Sequence, residues 1–429
     1  MTSKKLNDRI IFLIFSVLLF LLSHILGVNF IIPVLLLIVA IFLKHTESGL
    51  NHFNLLNLSL LFTIIVSLSY FFISELKLPK FSIPFIILPM LITLLFNSLQ
   101  LSLMITAVAS LTIATIAGDN LTMAVLFFIS GLLASILVLN ARRRMTVIRS
   151  GFIVGIVQTV LFLLIDSPLP LFRKFDLTPY AAFFINGIVS SIIVLGVLPI
   201  FEALFKTMTN ISLLELADFN HPLLLKLSLE APGTFHHCLI TGNLSEAACN
   251  AINANALLAR IGAYYHDIGK LNMPQYFSEN QGFEEESKHD TLAPSMSKLV
   301  IINHTKEGAE LARKYKLNER IVDFIEQHHG KSLVYYFYRK ALENLEEDEA
   351  IKEEGFRYPG PKPNTKEAAV VLLADSVEAA TRALREHTPS KITEVVHKII
   401  NNKFIDGQLD ECDLTLKDIE KISEVFIRL

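Results

Sequence analysis

The chain has 429 residues, 52% of them hydrophobic, 31 phenylalanines and a formal net charge of -3. A mean hydropathy of +0.49, with the apolar residues concentrated before about residue 206, excludes a wholly water-exposed globular protein and reads as a membrane protein. The slightly acidic balance excludes a general binder of nucleic-acid polymers, which needs a basic stripe. Cys238, Cys249 and Cys412 have neither CxxC spacing nor a pairing logic and read as free thiols in a reducing compartment.

Residues 10–43, 81–118 and 120–141 contain no charged side chain, and runs of that length read as transmembrane spans. Eight candidates follow in order, about 10–27, 29–44, 54–75, 82–98, 100–117, 121–140, 150–166 and 180–203. The count is seven if one pair forms a bent or re-entrant element. With eight spans, Lys4, Lys5, Arg9, Lys44, Arg142-Arg143-Arg144 and Arg149 fall on one side, which the positive-inside rule makes cytoplasmic. Lys77, Lys80, Arg173 and Lys174 fall on the other. No small-residue cleavage site separates the first apolar run from the second, so it reads as a span and not as a signal peptide. Inside the spans only His24, Gln158 and Asn186 stand out as polar, with Asp119 and Asp166 at loop edges. Interhelical hydrogen bonding suffices for the three interior groups, so this part reads as an anchor or dimerising scaffold in the lipid bilayer, compatible with a homodimer. It is not read as a transport path.

Residues 207–232 read as a connector, two short amphipathic segments broken at Asn220-His221-Pro222, because proline disfavours helix at the residue before it. From 233 to 429 the apolar period is helical. A helix with Leu257, Leu258, Ile261 and Tyr264 on one face is expected to end at Gly269 in a left-handed cap. It carries His266-Asp267. His237 lies 29 residues before His266, and His304 and His328-His329 begin 38 and 62 residues after it, so each belongs to a different helix. Asp375 follows the apolar run Ala368–Ala374, and a carboxylate buried there needs a cation or hydrogen bonds to compensate it. Imidazole and carboxylate without cysteine are the donor set of borderline and hard transition metals, and a helical bundle assembles such sites from several helices.

These residues, in order and rough spacing, resemble the HD-domain metal-dependent phosphohydrolases. More narrowly, Glu230-Ala-Pro-Gly-Thr-Phe-His-His237, Gly262-Ala-Tyr-Tyr-His-Asp-Ile-Gly-Lys270, Glu326-Gln-His-His-Gly330, Phe356–Pro363 and Asp410–Thr415 resemble the membrane-anchored group of 7TM receptors with an intracellular HD hydrolase. Its characterised members are cyclic-di-AMP phosphodiesterases of the PgpH type. The resemblance implies an all-α protein: a polytopic transmembrane bundle (1–206), the connector (207–232) and a cytosolic all-helical HD phosphohydrolase (233–429) in a bacterial cell membrane. It implies hydrolysis of cyclic di-AMP to pApA with two divalent ions, manganese or iron. His237, His266, Asp267 and Asp375 would hold the first ion. Asp267 would bridge to a second completed by His304 and His328, with His329 a further ligand or a phosphate contact. Lys270, with Asp267 a catalytic candidate, would contact phosphate or stabilise developing charge, and His236 would support the ligands from outside or be structural. Arg357 and Tyr358, in a stiff proline-rich loop, are candidate substrate contacts, with tyrosine a stacking face for a base. Against cyclic di-GMP, Gly330–Tyr338 lacks the Gly-Tyr-Pro signature of the HD subclass that acts on it. Receptors of the group carry a long extracytoplasmic domain after the first span, where this chain has only Gly27-Val28-Asn29.

Overall fold

The computed structural model of the protein describes residues 52–118, 121–165, 177–282, 287–343 and 351–429. The expected spans 10–27 and 29–44, their link, His24, Asp119, Asp166, Arg173 and Lys174 lie outside the described residues. Every regular element among the described residues is helical, apart from an isolated antiparallel bridge between Leu333 and Arg357. The chain divides after Ile211 into two compact units.

The first unit contains α1 (His52–Tyr70), α2 (Ile87–Phe96), α3 (Leu99–Ile116), α4 (Leu121–Val138), α5 (Arg144–Ile165) and α6 (Thr178–Phe205). Among the described residues, five helical stretches, Leu55–Glu75, α3, α4, α5 and α6, are long and apolar enough to cross a membrane. The expected span 82–98 is different. Its helix α2 has 10 residues, a rise of about 15 Å, half the roughly 30 Å of a bilayer's hydrocarbon core. Asn97, with φ +48°, closes α2 and Ser98 caps α3 by accepting from Leu101 N. Residues Ile87–Leu95 are all buried, so α2 is covered by its neighbours all round.

α5 and α6 touch through backbone. A Cβ on Gly151 would stand 2.5 Å from the carbonyl of Gly187, and one on Gly155 would stand 2.6 Å from that of Phe184. This is a small-xxx-small crossing, in which only hydrogen side chains let two helices approach so closely. Asn186 of α6 donates to the carbonyls of Phe81 (3.2 Å) and Ile83 (2.6 Å) and so holds the turn that leads into α2. Gln158 is buried, and its Oε1 has no hydrogen-bond partner among the described residues.

The second unit continues from α7 (Asn210–Leu216) into α8 (Pro222–Glu230), α9 (Pro232–Ala251), α10 (Ala256–Tyr265), α11 (Pro294–Lys314), α12 (Glu319–Gln327), α13 (Tyr335–Glu343), α14 (Lys366–Arg382), α15 (Pro389–Ile405) and α16 (Leu416–Arg428). Helix starts follow local chemistry. Asn255, Asn318, Thr365 and Thr388 accept first-turn backbone N–H groups, and Thr415 with Asp418 forms a reciprocal capping box. Pro222 follows His221, whose ring accepts from Leu223 N. The core is built around α14, where Ala368 through Asp375 are all buried, and Ala259, Ala263, Val396, Ile400, Ile422 and Phe426 pack with it.

Gly269 corrects the expected left-handed cap. α10 stops at Tyr265, and Gly269 lies inside a 3-10 turn, Ile268–Asn272. Glycine is required there by proximity: a Cβ would stand 1.9 Å from the His304 carbonyl oxygen and 2.6 Å from Gly308 N.

Candidate metal centre

Helices α9, α10, α11, α12 and α14 each deliver part of one buried cluster. On α9 the buried stripe Thr234, His237, Cys238, Thr241 and Ser245 repeats every three or four residues and turns His237 inward. His236, about 100° away on the same helix, is exposed. The C-terminal end of α10 supplies His266 and Asp267, α11 supplies His304, the end of α12 supplies His328 and His329, and α14 supplies Asp375. All but His329, which is 20% exposed, are buried.

Asp267 lies between two groups of donors. Its Oδ2 is 3.2 Å from His266 Nε2 and 3.5 Å from His237 Nε2, while Asp375 Oδ1 lies 3.0 Å from His237 Nε2. Its Oδ1 is 3.3 Å from His304 Nε2 and 3.6 Å from His328 Nε2. One donor atom each from His237, His266, Asp267 and Asp375 lie within 4.8 Å of one another, and so do those of His304, His328 and His329. His329 also reaches back to Asp375, with Nδ1 3.4 Å from Oδ2.

The second layer decides which nitrogen is free. Nδ1 of His266, His304 and His328 lies 2.6, 2.5 and 2.9 Å from the carbonyl of Ala263, Ile301 and Ile325, three residues back in each case. A carbonyl only accepts, so each Nδ1 carries the proton and each Nε2 presents a bare lone pair. His304 Nε2 and His328 Nε2 then face one another at 3.1 Å, an arrangement that calls for a cation between them. His266 Nε2 and Asp267 Oδ1 are likewise buried without a hydrogen-bond partner, a costly state unless a ligand satisfies them. The nitrogen and oxygen donor set fits a divalent ion.

His237 differs from the other three. Its Nδ1 lies 2.5 Å from Glu378 Oε2, a carboxylate–histidine pair of the kind that orients a metal ligand. Glu378 stands three residues after Asp375 on α14 and also accepts from Arg382 at 3.2 Å. The sequence reading missed it, although the i, i+3 spacing from Asp375 on an apolar helix was available as a signal.

Burial pushes His328 down to about 4, so its imidazole is neutral. Burial would lower His237 too, but Asp375 and Glu378 outweigh it and raise the imidazole to about 9. Burial would raise both aspartates, yet the positive and hydrogen-bonding groups packed around them hold both well below the usual carboxylate range.

Lys270 Nζ lies 2.7 Å from Asp267 Oδ2, 2.7 Å from Glu279 Oε1 and 4.9 Å above the Phe277 ring. Tyr358 packs its ring against His329, with centroids 4.3 Å apart and planes 34° apart, at the edge of the cluster. Arg357, next in sequence, turns to Glu353 (2.5 Å), Asp406 (2.8 Å) and the Lys331 carbonyl (2.9 Å), so the structure does not bring its guanidinium into the cluster.

Comparison with known proteins adds to this geometry. Residues 22–209 match the model of the family described as 7TM receptor with intracellular HD hydrolase, and residues 234–380 match the HD domain. Cyclic-di-AMP phosphodiesterase PgpH of Bacillus subtilis (strain 168) is 44% identical over 307 residues, 71% of this chain and 43% of that protein. PgpH of Listeria monocytogenes serotype 1/2a (strain 10403S) is 39% identical over 350 residues, 81% of this chain and 48% of that protein. The chain therefore spans about half the length of the curated relatives it matches. The crystal structure of the L. monocytogenes PgpH HD domain in complex with cyclic-di-AMP is 46% identical, with a TM-score of 0.47, covering 49% of this chain and 97% of that one. An all-helical fold, apolar helices long enough to cross a membrane, a buried histidine–aspartate cluster suited to divalent metal and two matching family models lead to one conclusion: the chain belongs to the family of 7TM receptors with intracellular HD hydrolase.

Proposed function

We propose that this protein is a membrane-anchored phosphodiesterase that hydrolyses cyclic di-AMP to the linear dinucleotide pApA. The observation that carries the reading is Asp267, a single buried carboxylate whose two oxygens face two separate histidine groups. Two divalent transition-metal ions, manganese or iron, would be held by His237, His266, Asp267 and Asp375 on one side and by Asp267, His304 and His328 on the other. Such a pair supplies Lewis acidity, which acidifies an attacking water and offsets charge on the phosphoryl oxygens. His329, partly exposed beside both groups, is a further ligand or a phosphate contact.

The chain's own residues do the rest. Lys270, beside Asp267, carries a fixed positive charge that favours a phosphoryl oxygen gaining charge. Glu378 holds His237 in the orientation that offers Nε2. Tyr358 presents an aromatic face at the edge of the cluster for a base. Arg357 supports the same loop through Glu353 and Asp406. The choice of substrate rests on the B. subtilis and L. monocytogenes relatives, which bear the activity in their names. Arg142–Arg144 and Arg149 favour a plasma-membrane orientation with the catalytic unit in the cytoplasm.

The test uses the full chain in detergent, loaded with manganese or iron and offered cyclic di-AMP and cyclic di-GMP in parallel. Release of pApA, abolished by Asp267→Ala, is the expected result. Tight binding without cleavage in either metal would make the protein a receptor. Preferential cleavage of cyclic di-GMP would overturn the substrate.

A further inference from the structure

The turn that carries Lys270, Ile268–Asn272, continues as two further 3-10 turns, Pro274–Tyr276 and Ser278–Asn280. Together they form a strap that lies on the first turn of α9. That helix starts without a cap of its own, since Ala231 offers no side-chain acceptor. Asn280 supplies one from the strap: its Oδ1 accepts from Thr234 N at 3.0 Å, and its Nδ2 donates to Thr234 Oγ1 at 2.9 Å. An orphan N–H of the helix start is thus satisfied from 46 residues away. The approach is too close for a side chain at residue 233, where a Cβ would stand 1.8 Å from the Glu279 carbonyl oxygen. Gly233 therefore lets the strap lie flat on the helix.

Seated in this way, Glu279 faces inward. Its side chain is 7% exposed, and its Oε1 accepts from Lys270 Nζ at 2.7 Å and from Thr234 Oγ1 at 3.2 Å. Oε2 lies 3.9 Å from the guanidinium of Arg382, which also donates to Glu378 at 3.2 Å. Burial would raise the Glu279 carboxyl, but the charge of Lys270 outweighs it and holds the group below its ordinary value. An ammonium has three N–H groups. Asp267 Oδ2 takes one and Glu279 Oε1 another. A single contact leaves the ammonium free to turn about it, whereas two fix the direction of the third N–H. Asp267 shares its charge among four imidazoles as well. Glu279 has no imidazole beside it among the described residues, and Lys270 is its nearest cation.

We propose that Glu279 is a positioning residue: it holds the Lys270 ammonium at the metal centre and ties its direction to the seating of the strap on α9. The kinetic consequence rests on the phosphodiesterase reading, while the placement of Lys270 does not.

Glu279→Gln tests it, because the amide keeps the size of the side chain and an oxygen for Thr234 while the charge is lost. It is compared with wild type, Lys270→Met and the double variant, each as the full chain in detergent with manganese and cyclic di-AMP. A displaced catalytic group costs up to about 100-fold, so Glu279→Gln should lower kcat by about 10- to 100-fold, with KM and the unfolding midpoint in urea unchanged. Residues that act through one another are not additive, so the double variant should have the kcat of Lys270→Met. An unchanged kcat in Glu279→Gln would overturn the inference, and so would the same fold-loss with and without the Lys270 ammonium. A second readout does not need turnover: acetylation by acetic anhydride, scored by peptide mass spectrometry against the exposed Lys316. Lys270 should react severalfold faster in Glu279→Gln, and equal rates would overturn the placement. A wild-type chain that leaves cyclic di-AMP intact would instead overturn the phosphodiesterase reading, with acetylation still deciding whether Glu279 holds Lys270.

Discussion

Among the four buried histidines of the cluster, only His237 owes its orientation to a side chain. Glu378→Gln isolates that contact, because the amide keeps the size of the carboxylate and leaves an oxygen to accept from Nδ1, while the charge is lost. The native contact is 2.5 Å long between side chains 2% and 6% exposed. A hydrogen bond to a charged partner contributes about 1.5–3 kcal/mol against about 0.5–1.5 kcal/mol for a neutral one. The difference of about 1–1.5 kcal/mol corresponds to five- to tenfold weaker binding at the His237 group. Loss of outer-layer partners in metalloproteins typically costs 10- to 100-fold in affinity, which sets the upper end. The histidines of the second group are oriented by the carbonyls of Ile301 and Ile325 and keep their geometry. Manganese titration of the full chain, with bound metal counted after desalting, should therefore give a half-loaded state at concentrations that fill the wild type. Wild-type affinity at both positions would refute the reasoning, as would a loss confined to the second group.

Three further outcomes follow from other contacts. Gly269→Ala drives a methyl group against the His304 carbonyl, 1.9 Å away. It should destabilise the catalytic unit by at least about 1–3 kcal/mol, read as a lower unfolding midpoint in urea, and an unchanged midpoint would contradict the packing. Lys270→Met keeps the chain length and removes the charge beside Asp267. A fall in kcat of about 10²- to 10³-fold with metal content retained is expected, whereas loss of metal would reassign the lysine to structure. Arg357→Ala probes the pair with Asp406. Burial raises that carboxyl, but hydrogen bonds from Arg357 and Gln408 outweigh it and hold it below 3.8. A carboxyl lowered in the folded state stabilises above its unfolded pKa and stops doing so as pH falls through the folded one. The stability difference between wild type and variant, about 1 kcal/mol for a half-exposed pair, should close below pH 3.8. A gap that persists there would rule the ion pair out as its source.

The all-helical class was legible because uncharged runs such as 81–118 and 120–141 admit little else. Length along the chain was less legible than apolarity. The run at 82–98 is as greasy as its neighbours, yet a 3-10 turn at Lys80–Ser82 and the αL residue Asn97 cut its helix to a buried half-length. At the candidate site, His266-Asp267 and the separated histidines stood out as a set of metal-type donors, but which nitrogen each histidine offers depends on the carbonyl three residues back. Only the folded helix supplies that. Glu378 carried only the faint signal of its spacing from Asp375, because a glutamate in Asp375-Ser-Val-Glu378 reads as a polar helix face until the fold buries it against His237. Gly269 was misread for a related reason. A glycine after a helix suggests a backbone conformation, whereas here it answers the close passage of α11.

The backbone contact of α5 with α6 has a mechanical consequence. Helices separated by ordinary side chains can slide, since rotamers absorb small shifts. At Gly151, Gly155 and Gly187 only the short side chain of Ser191, against Gly151, stands beside the two backbones, and it has little freedom to absorb a shift. The two helices therefore act as one stiff strut: an axial push on α6 carries α5 with it, together with the arginine-bearing end at Arg144 and Arg149. Pro199 lies inside α6, and because proline removes one internal N–H, a bend costs least there. A stimulus reaching this pair would be transmitted as a tilt about a single joint, and not as a graded loosening along the whole helix.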